Sequence, residues 1–119
     1  MDFVANYHAF KETLVASAGD SHALMHVHAG LAIYVLFQVI WGTRRGSVPG
    51  LVCVALFEIF NEICDRAFYG SWRVGDTLGD IATTMFWPAV LVAVSRFRRW
   101  QWNARQANLE SLWRQMLVR

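Results

Sequence analysis

Apolar residues are gathered into three blocks along the chain, each with the length of a membrane-crossing helix. Every block contains roughly 19 to 20 residues, which as a helix would span a hydrocarbon core of about 30 Å. The first and third blocks give an almost clean hydropathy signal, whereas the second contains Glu58, Glu62 and Asp65. The pattern predicts three spanning helices, over residues 23–42, 49–68 and 77–95.

The segments at both ends of the chain have amphipathic helical patterns. Residues 2–18 place one apolar face at helical spacing, formed by Phe3, Tyr7, Phe10, Leu14 and Ala18. Residues 96–119 place a second one, formed by Trp102, Leu109, Leu112, Trp113 and Met116. We therefore expect one all-α membrane domain over 1–119: a three-span transmembrane helical bundle with an amphipathic interfacial helix at each end.

Turn and capping residues mark the limits of the spans. Asp20 or Ser21 is expected to cap the first span, and Asp76 to cap the third. Pro88 lies inside the third span, where its missing N–H leaves the carbonyl of Thr84 without the usual helical partner and should kink the helix.

The distribution of positive charge predicts the orientation in the membrane. With three spans, one side would hold eight arginines, namely Arg44, Arg45, Arg96, Arg98, Arg99, Arg105, Arg114 and Arg119. The other side keeps only Lys11, Arg66 and Arg73. The positive-inside rule then predicts a multi-pass protein of a bacterial-type inner membrane, with its N-terminus outside and its C-terminus in the cytoplasm. No nucleic-acid motif accompanies these arginines, which alternate with tryptophans as in interfacial anchors.

Polar side chains occupy one face of each predicted span, and all three faces fall in the outer half of the bilayer. They consist of His22 and His26 on the first span, Glu58, Glu62 and Asp65 on the second, and Asp76, Asp80 and Thr83 on the third. Buried carboxylates cost several kcal/mol unless they are compensated. The three faces are therefore expected to meet in a polar pocket that opens outward.

Three interpretations of this pocket remain open. In a structural network, Asn61 would form a hydrogen bond between helices, Arg66 an ion pair with Glu62, and Arg73 an ion pair with Asp76 or Asp80. The members of this network would be Asn61, Asp65, Arg66 and Arg73. A divalent metal site would draw its ligands from His22, His26, Glu58, Glu62, Asp76 and Asp80. The acids could alternatively conduct protons or ions. His28 points away from the pocket and is either hydrogen-bonded to a neighbouring helix or an axial ligand of a pigment or haem.

Three stretches resemble the motifs of VanZ-like membrane proteins. Residues 20–26 resemble the family's Asp-x-x-x-His opening, residues 58–61 its Glu-x-x-Gln, and residues 73–80 its Arg-x-x-Asp-x-x-Asp signature. Asn61 stands where the family has Gln, and Thr83 where it has Asn. Related inner-membrane proteins with a Glu…Asp-Thr-x-x-Asp pattern are similar as well. The resemblance implies a small multi-span protein connected with envelope stress or glycopeptide tolerance.

The pocket predicts binding of a cation or a lipid head group by a non-enzymatic envelope or accessory component. No hydroxyl or thiol is placed with a base as a nucleophile. A metal-dependent hydrolase of a lipid-linked substrate is one alternative, and a structural accessory subunit of a larger membrane complex is another. The expected partners are membrane lipids, together with a protein partner or further copies of the chain.

Overall fold

The computed structural model describes residues 2–19 and 21–119, which fold entirely into α-helices and short connections. The predicted all-α class is confirmed for this part of the chain. The four helices are α1 (Phe3–Ala18), α2 (His22–Trp41), α3 (Val48–Tyr69) and α4 (Val74–Leu117).

Capping residues fix the limits of the first three helices, whereas α4 begins at Val74 without a side-chain cap, so that Asp76, its expected cap, lies inside the first turn instead. Ser21 caps α2 by accepting a hydrogen bond from the backbone N–H of Leu24 at 3.3 Å. Asp20, the other expected cap, lies outside the described residues. The first three helices each end at a left-handed glycine, which has no Cβ to oppose that conformation; these are Gly19, Gly42 and Gly70, with φ of 66°, 63° and 69°.

Two helices, α2 and α4, are long and apolar enough to cross a membrane. Only 11% and 17% of the residues in their apolar windows are buried within the protein, whereas the core helix of a soluble protein is mostly buried. The second predicted span, α3, does not meet the same criterion, because it carries four charged side chains, namely Glu58, Glu62, Asp65 and Arg66.

The fourth helix is much longer than predicted. A span over 77–95 and a separate interfacial helix over 96–119 were expected, but α4 is a single helix of 44 residues, about 66 Å long. No glycine or proline follows Pro88, so nothing in the local sequence ends the helix near Arg96. All residues of 96–119 are exposed, and the molecule extends over 78 Å.

Close backbone contact holds α2 against α4. A Cβ at Gly30 would lie 2.1 Å from the carbonyl oxygen of Thr84, so only glycine fits this crossing. That carbonyl lacks its usual helical partner because Pro88 has no N–H. Gly30 thus covers the carbonyl that Pro88 leaves free, and it fixes the depth of Thr84 relative to α2.

Candidate polar site

The polar face of α3 points into the bundle. Its buried members are Glu58, Asn61, Glu62, Asp65 and Arg66. Glu58 is 5% exposed and Glu62 3%, so both carboxylates depend on protein groups for compensation. These groups come from α1, α2 and α4 and, for Glu62, from α3 itself, and they form three clusters.

The first cluster, here called the acid–histidine cluster, consists of His26, Glu58, Asp80 and Thr84. Nδ1 of His26 lies 3.5 Å from Oε2 of Glu58, and its Nε2 lies 3.5 Å from Oδ2 of Asp80. The hydroxyl of Thr84 donates to Oε2 of Glu58 at 2.9 Å and lies 3.1 Å from Nδ1 of His26. Within the described residues no lysine or arginine pairs with either carboxylate, and the imidazole is the group they share.

The second cluster connects α1 to α3. Nζ of Lys11 donates to both carboxylate oxygens of Asp65, at 2.6 and 2.7 Å, and to Oδ1 of Asn61 at 2.9 Å. The hydroxyl of Tyr7 also donates to Asn61, at 3.0 Å. Burial raises the pKa of Tyr7, and the nearby charge of Asp65 raises it further, so the hydroxyl keeps the proton that it donates.

This contact changes the interpretation of α1. Residues 2–18 were expected to form an interfacial helix with Tyr7 on its apolar face. Tyr7 and Lys11 instead lie one turn apart on the side of α1 that packs on α3. Asn61 and Asp65 have the same spacing on α3, which is the sequence signal that could have indicated this pairing.

The third cluster is an ion pair within α3. Nη2 of Arg66 donates to Oε2 of Glu62 at 3.1 Å, the partnership expected from their spacing. Nη1 of Arg66 donates to the carbonyl of Ser71 at 3.4 Å. Oε1 of Glu62 and Nε of Arg66 are buried and have no partner among the described residues. The pair is therefore incompletely satisfied.

A cavity of about 510 Å³ connects these clusters and draws its lining from all four helices. We call it the polar cavity, and its wall includes Lys11, His26, Asp65, Arg66 and Asp80. An adjoining apolar cleft of about 320 Å³ lies between α1, α2 and α3 and reaches Glu58. His26 lines both spaces, with Asp80 on the side of the cavity and Glu58 on the side of the cleft.

The six residues predicted as metal ligands are not brought to one point. His26, Glu58 and Asp80 lie together, but Glu62 pairs with Arg66. The remaining two, His22 and Asp76, are exposed at the surface. His22 is 60% exposed and contacts Glu12 at 3.4 Å, while Asp76 is 55% exposed and pairs with Arg73 at 2.9 Å. In residues 2–19 and 21–119 no group of three or more histidine, cysteine or acidic side chains has a geometry that could hold a metal ion.

Two further expectations concern single residues. Arg73 was expected to reach Asp76 or Asp80, and it contacts Asp76. His28 was expected to bond to a neighbouring helix or to ligate a pigment, but its Nδ1 lies 2.7 Å from the carbonyl of Leu24 in its own helix. Thr84, which supplies the hydroxyl for Glu58, was missed because the spacing from Asp76 and Asp80 assigned its neighbour Thr83 to the polar face.

Comparison with known proteins gives no relative, since no family model, curated protein or solved structure matches the chain. The resemblance to VanZ-like proteins, including the part that falls on Asp20, therefore stays a prediction. Function has to be inferred from the clusters, the polar cavity and the surface of the helices.

Proposed function

We propose that the chain is an integral membrane protein that crosses the bilayer three times, through α2, α3 and the first half of α4. Support for the crossing by α3 comes from its two faces, of which one is buried and polar and the other is exposed and apolar. The exposed face consists of Leu56, Phe57, Ile59, Phe60 and Ile63. A helix with its charges inside and its large apolar residues outside suits lipid rather than water. Its 22 residues extend about 33 Å, enough to cross the hydrocarbon core.

We further propose that the polar cavity opens to the outside of a bacterial-type inner membrane. The eight arginines at the other end of the bundle support this orientation through the positive-inside rule. Single cysteines test it in a background with Cys53→Ala and Cys64→Ala. Ser71→Cys should react with an impermeant thiol reagent in intact cells, and Ser111→Cys, which is also exposed, should react only after lysis. The reverse pattern would overturn the orientation.

The function that we propose for the acid–histidine cluster, which lies between the polar cavity and the apolar cleft, is binding of a cation by a non-enzymatic envelope component. Each basic side chain that lines the cavity already has an acidic partner; the pairs are Lys11 with Asp65, Arg66 with Glu62, and Arg73 with Asp76. Glu58 and Asp80 are left with a single histidine between them. Oε1 of Glu58 is buried without a partner among the described residues. This excess of negative charge is the observation that carries the proposal, because a bound cation would offset its desolvation.

Thermal unfolding of the purified full-length protein tests cation binding. Chlorides of Na⁺, K⁺, Mg²⁺, Ca²⁺, Mn²⁺ and Zn²⁺ are added at constant ionic strength, and one of them should raise the Tm in a saturable way. A ligand at 100 times its Kd stabilises by about 2.7 kcal/mol. Glu58→Gln and Asp80→Asn should abolish this dependence on the ion.

Asp76→Asn is the matched control, since Asp76 lies on the same helix as Asp80 but is half exposed and paired with Arg73. It should retain the response to the ion. If no cation raises the Tm, or if Glu58→Gln responds like the wild type, the cation site is excluded.

A lipid head group that carries an amine is the second candidate, and the apolar cleft favours it. The cleft shares Lys11, His22 and His26 with the polar cavity, so an acyl chain in the cleft would leave its head group in the cavity. Phosphatidylethanolamine should then raise the Tm in neutral detergent, and phosphatidylglycerol should not. Equal effects of both lipids would exclude recognition of the amine.

A further inference from the structure

A second cavity lies at the opposite end of the bundle from the polar cavity. It measures about 510 Å³ and is enclosed by the end of α2, the turn between α2 and α3, and the middle of α4. Arg44 and Arg45 of the turn and Arg98 and Arg99 of α4 line it, and we call it the arginine pocket. Among residues 2–19 and 21–119, no acidic side chain lines it. The nearest acid further along α4 is Glu110, which is about 16 Å beyond Arg99 along the helix.

Hydrogen bonds hold the turn against the helices. The backbone N–H of Gly46 donates to the hydroxyl of Ser95 at 2.9 Å, and the side-chain amide of Gln38 donates to the carbonyl of Arg45 at 3.0 Å. A Cβ at Gly46 would lie 2.6 Å from the Cβ of Ser95 and 2.8 Å from the carbonyl oxygen of Leu91. Position 46 must therefore be glycine for the turn to approach α4 this closely. This approach brings the two pairs of arginines to the same pocket.

The unpaired charges are the unusual feature of this pocket. Within the described residues none of its four arginines forms an ion pair, whereas the basic side chains of the polar cavity all do. The four positive charges line the same pocket and repel one another, and an anion between them would offset that repulsion. Guanidinium groups bind phosphate through two parallel hydrogen bonds, which makes phosphate the anion best suited to the pocket.

We propose that the arginine pocket binds the phosphate-bearing head group of an anionic phospholipid. Its remaining wall includes the apolar side chains of Leu91, Val94 and Trp102, which suit the start of an acyl chain and the aromatic level of an interface. Basic pockets between helices at the cytoplasmic face recognise lipid head groups in this way. The inference rests on the proposed membrane crossing and is independent of cation binding in the polar cavity.

Lipid titration of the full-length protein in neutral detergent, followed by native mass spectrometry, tests the proposal. Phosphatidylglycerol should bind with a stoichiometry of one, and phosphatidylcholine should bind at least tenfold more weakly. The double variant Arg98→Gln/Arg99→Gln should weaken phosphatidylglycerol binding about tenfold or more. The matched control Arg114→Gln/Arg119→Gln removes the same charge from the exposed end of α4 and should bind within twofold of the wild type.

Three results would overturn the proposal: equal binding of the two lipids, equal losses in the two double variants, or displacement of the lipid by inorganic phosphate at equal concentration. The last would identify a site for soluble phosphate. If Arg98→Gln/Arg99→Gln does not fold, as judged by circular dichroism and gel filtration, Arg44→Gln/Arg45→Gln removes the opposite wall and is expected to give the same loss. The labelling of Ser71→Cys is independent of these arginines, so a failed lipid test with normal labelling rejects only the arginine pocket.

Discussion

Among the described residues, the hydroxyl of Thr84 is the only one that donates a hydrogen bond to Glu58. Replacing it measures how much this hydrogen bond contributes to the free energy of unfolding. Thr84 is 2% exposed, and its Oγ1 lies 2.9 Å from Oε2 of Glu58. Thr84→Val keeps the branched shape of the side chain, so that no large cavity term is added. Oε1 of Glu58 already lacks a partner, so the variant leaves Oε2 with only the contact to His26 at 3.5 Å.

Two magnitudes bound the expected loss of stability. A hydrogen bond to a charged group contributes about 1.5 to 3 kcal/mol. Hydrogen bonds between membrane helices average about 0.6 kcal/mol and reach about 1.7 kcal/mol. Because Glu58 is both buried and a carboxylate, we expect Thr84→Val to cost about 1.5 kcal/mol, at the overlap of the two ranges. Reversible unfolding in mixed micelles with increasing SDS, followed by circular dichroism, gives the free energy of unfolding.

The neighbouring threonine provides the control. In the part of the chain that the structure describes, Oγ1 of Thr83 donates only to carbonyls of its own helix, those of Gly79 and Asp80, each at 3.0 Å. Thr83→Val should therefore change the free energy of unfolding by less than about 0.5 kcal/mol. A double variant with Glu58→Gln should show a coupling energy of at least about 0.5 kcal/mol with Thr84→Val. If the two valine variants unfold within about 0.3 kcal/mol of each other, the hydroxyl does not compensate Glu58.

Two other contacts give predictions for the same unfolding assay or for hydrogen exchange. Gly30→Ala should destabilise by about 2 kcal/mol or more, because its Cβ would lie 2.1 Å from a backbone oxygen that cannot move cheaply. Gly79→Ala, with nothing within 4 Å of its Cβ, should stabilise by about 0.5 to 1 kcal/mol, and equal effects of the two changes would refute the close crossing. Lys11→Met leaves the carboxylate of Asp65 buried without its cation, which should destabilise the packing of α1 by about 2 kcal/mol. Hydrogen exchange of the α1 amides should therefore become about thirtyfold faster. Hydrogen exchange of the α4 amides should not change. The control Thr13→Val, on the exposed side of α1, should leave the α1 amides protected from exchange. Similar exchange rates in Lys11→Met and Thr13→Val would show that Lys11 does not hold this helix.

The limits of the first three helices and the polar face of α3 could be predicted from the sequence because both are local properties. Helical periodicity places Glu58, Glu62 and Asp65 on one face, and all three are buried. The spacing of Glu62 and Arg66 indicates their ion pair in the same way. The limits of the first three helices follow from serines, aspartates and glycines whose capping chemistry acts within a few residues.

Contacts between helices depend on rotation and depth, which no local pattern encodes. Depth alone put His22 at the level of Glu58 and Asp80, but the rotation of α2 turns His26 towards both acids. His22 contacts Glu12 and does not join the acid–histidine cluster. The insertion of Lys11 beside Asp65 joins residues 54 positions apart in the sequence. Charge clustering after residue 95 suggested a new element, yet only a helix breaker would have ended α4 there.

The sequence by itself therefore determined an all-α chain with buried acids and a basic end, because helical periodicity and the order of charges depend only on residues that are close in the sequence. The tertiary structure alone decided which acids are compensated and which are not. That outcome depends on distances of 3 to 4 Å between side chains from different helices, which the packing of Gly30 against Thr84 and of Gly46 against Ser95 sets. The same packing separates a cavity with excess negative charge at one end of the bundle from an arginine pocket at the other.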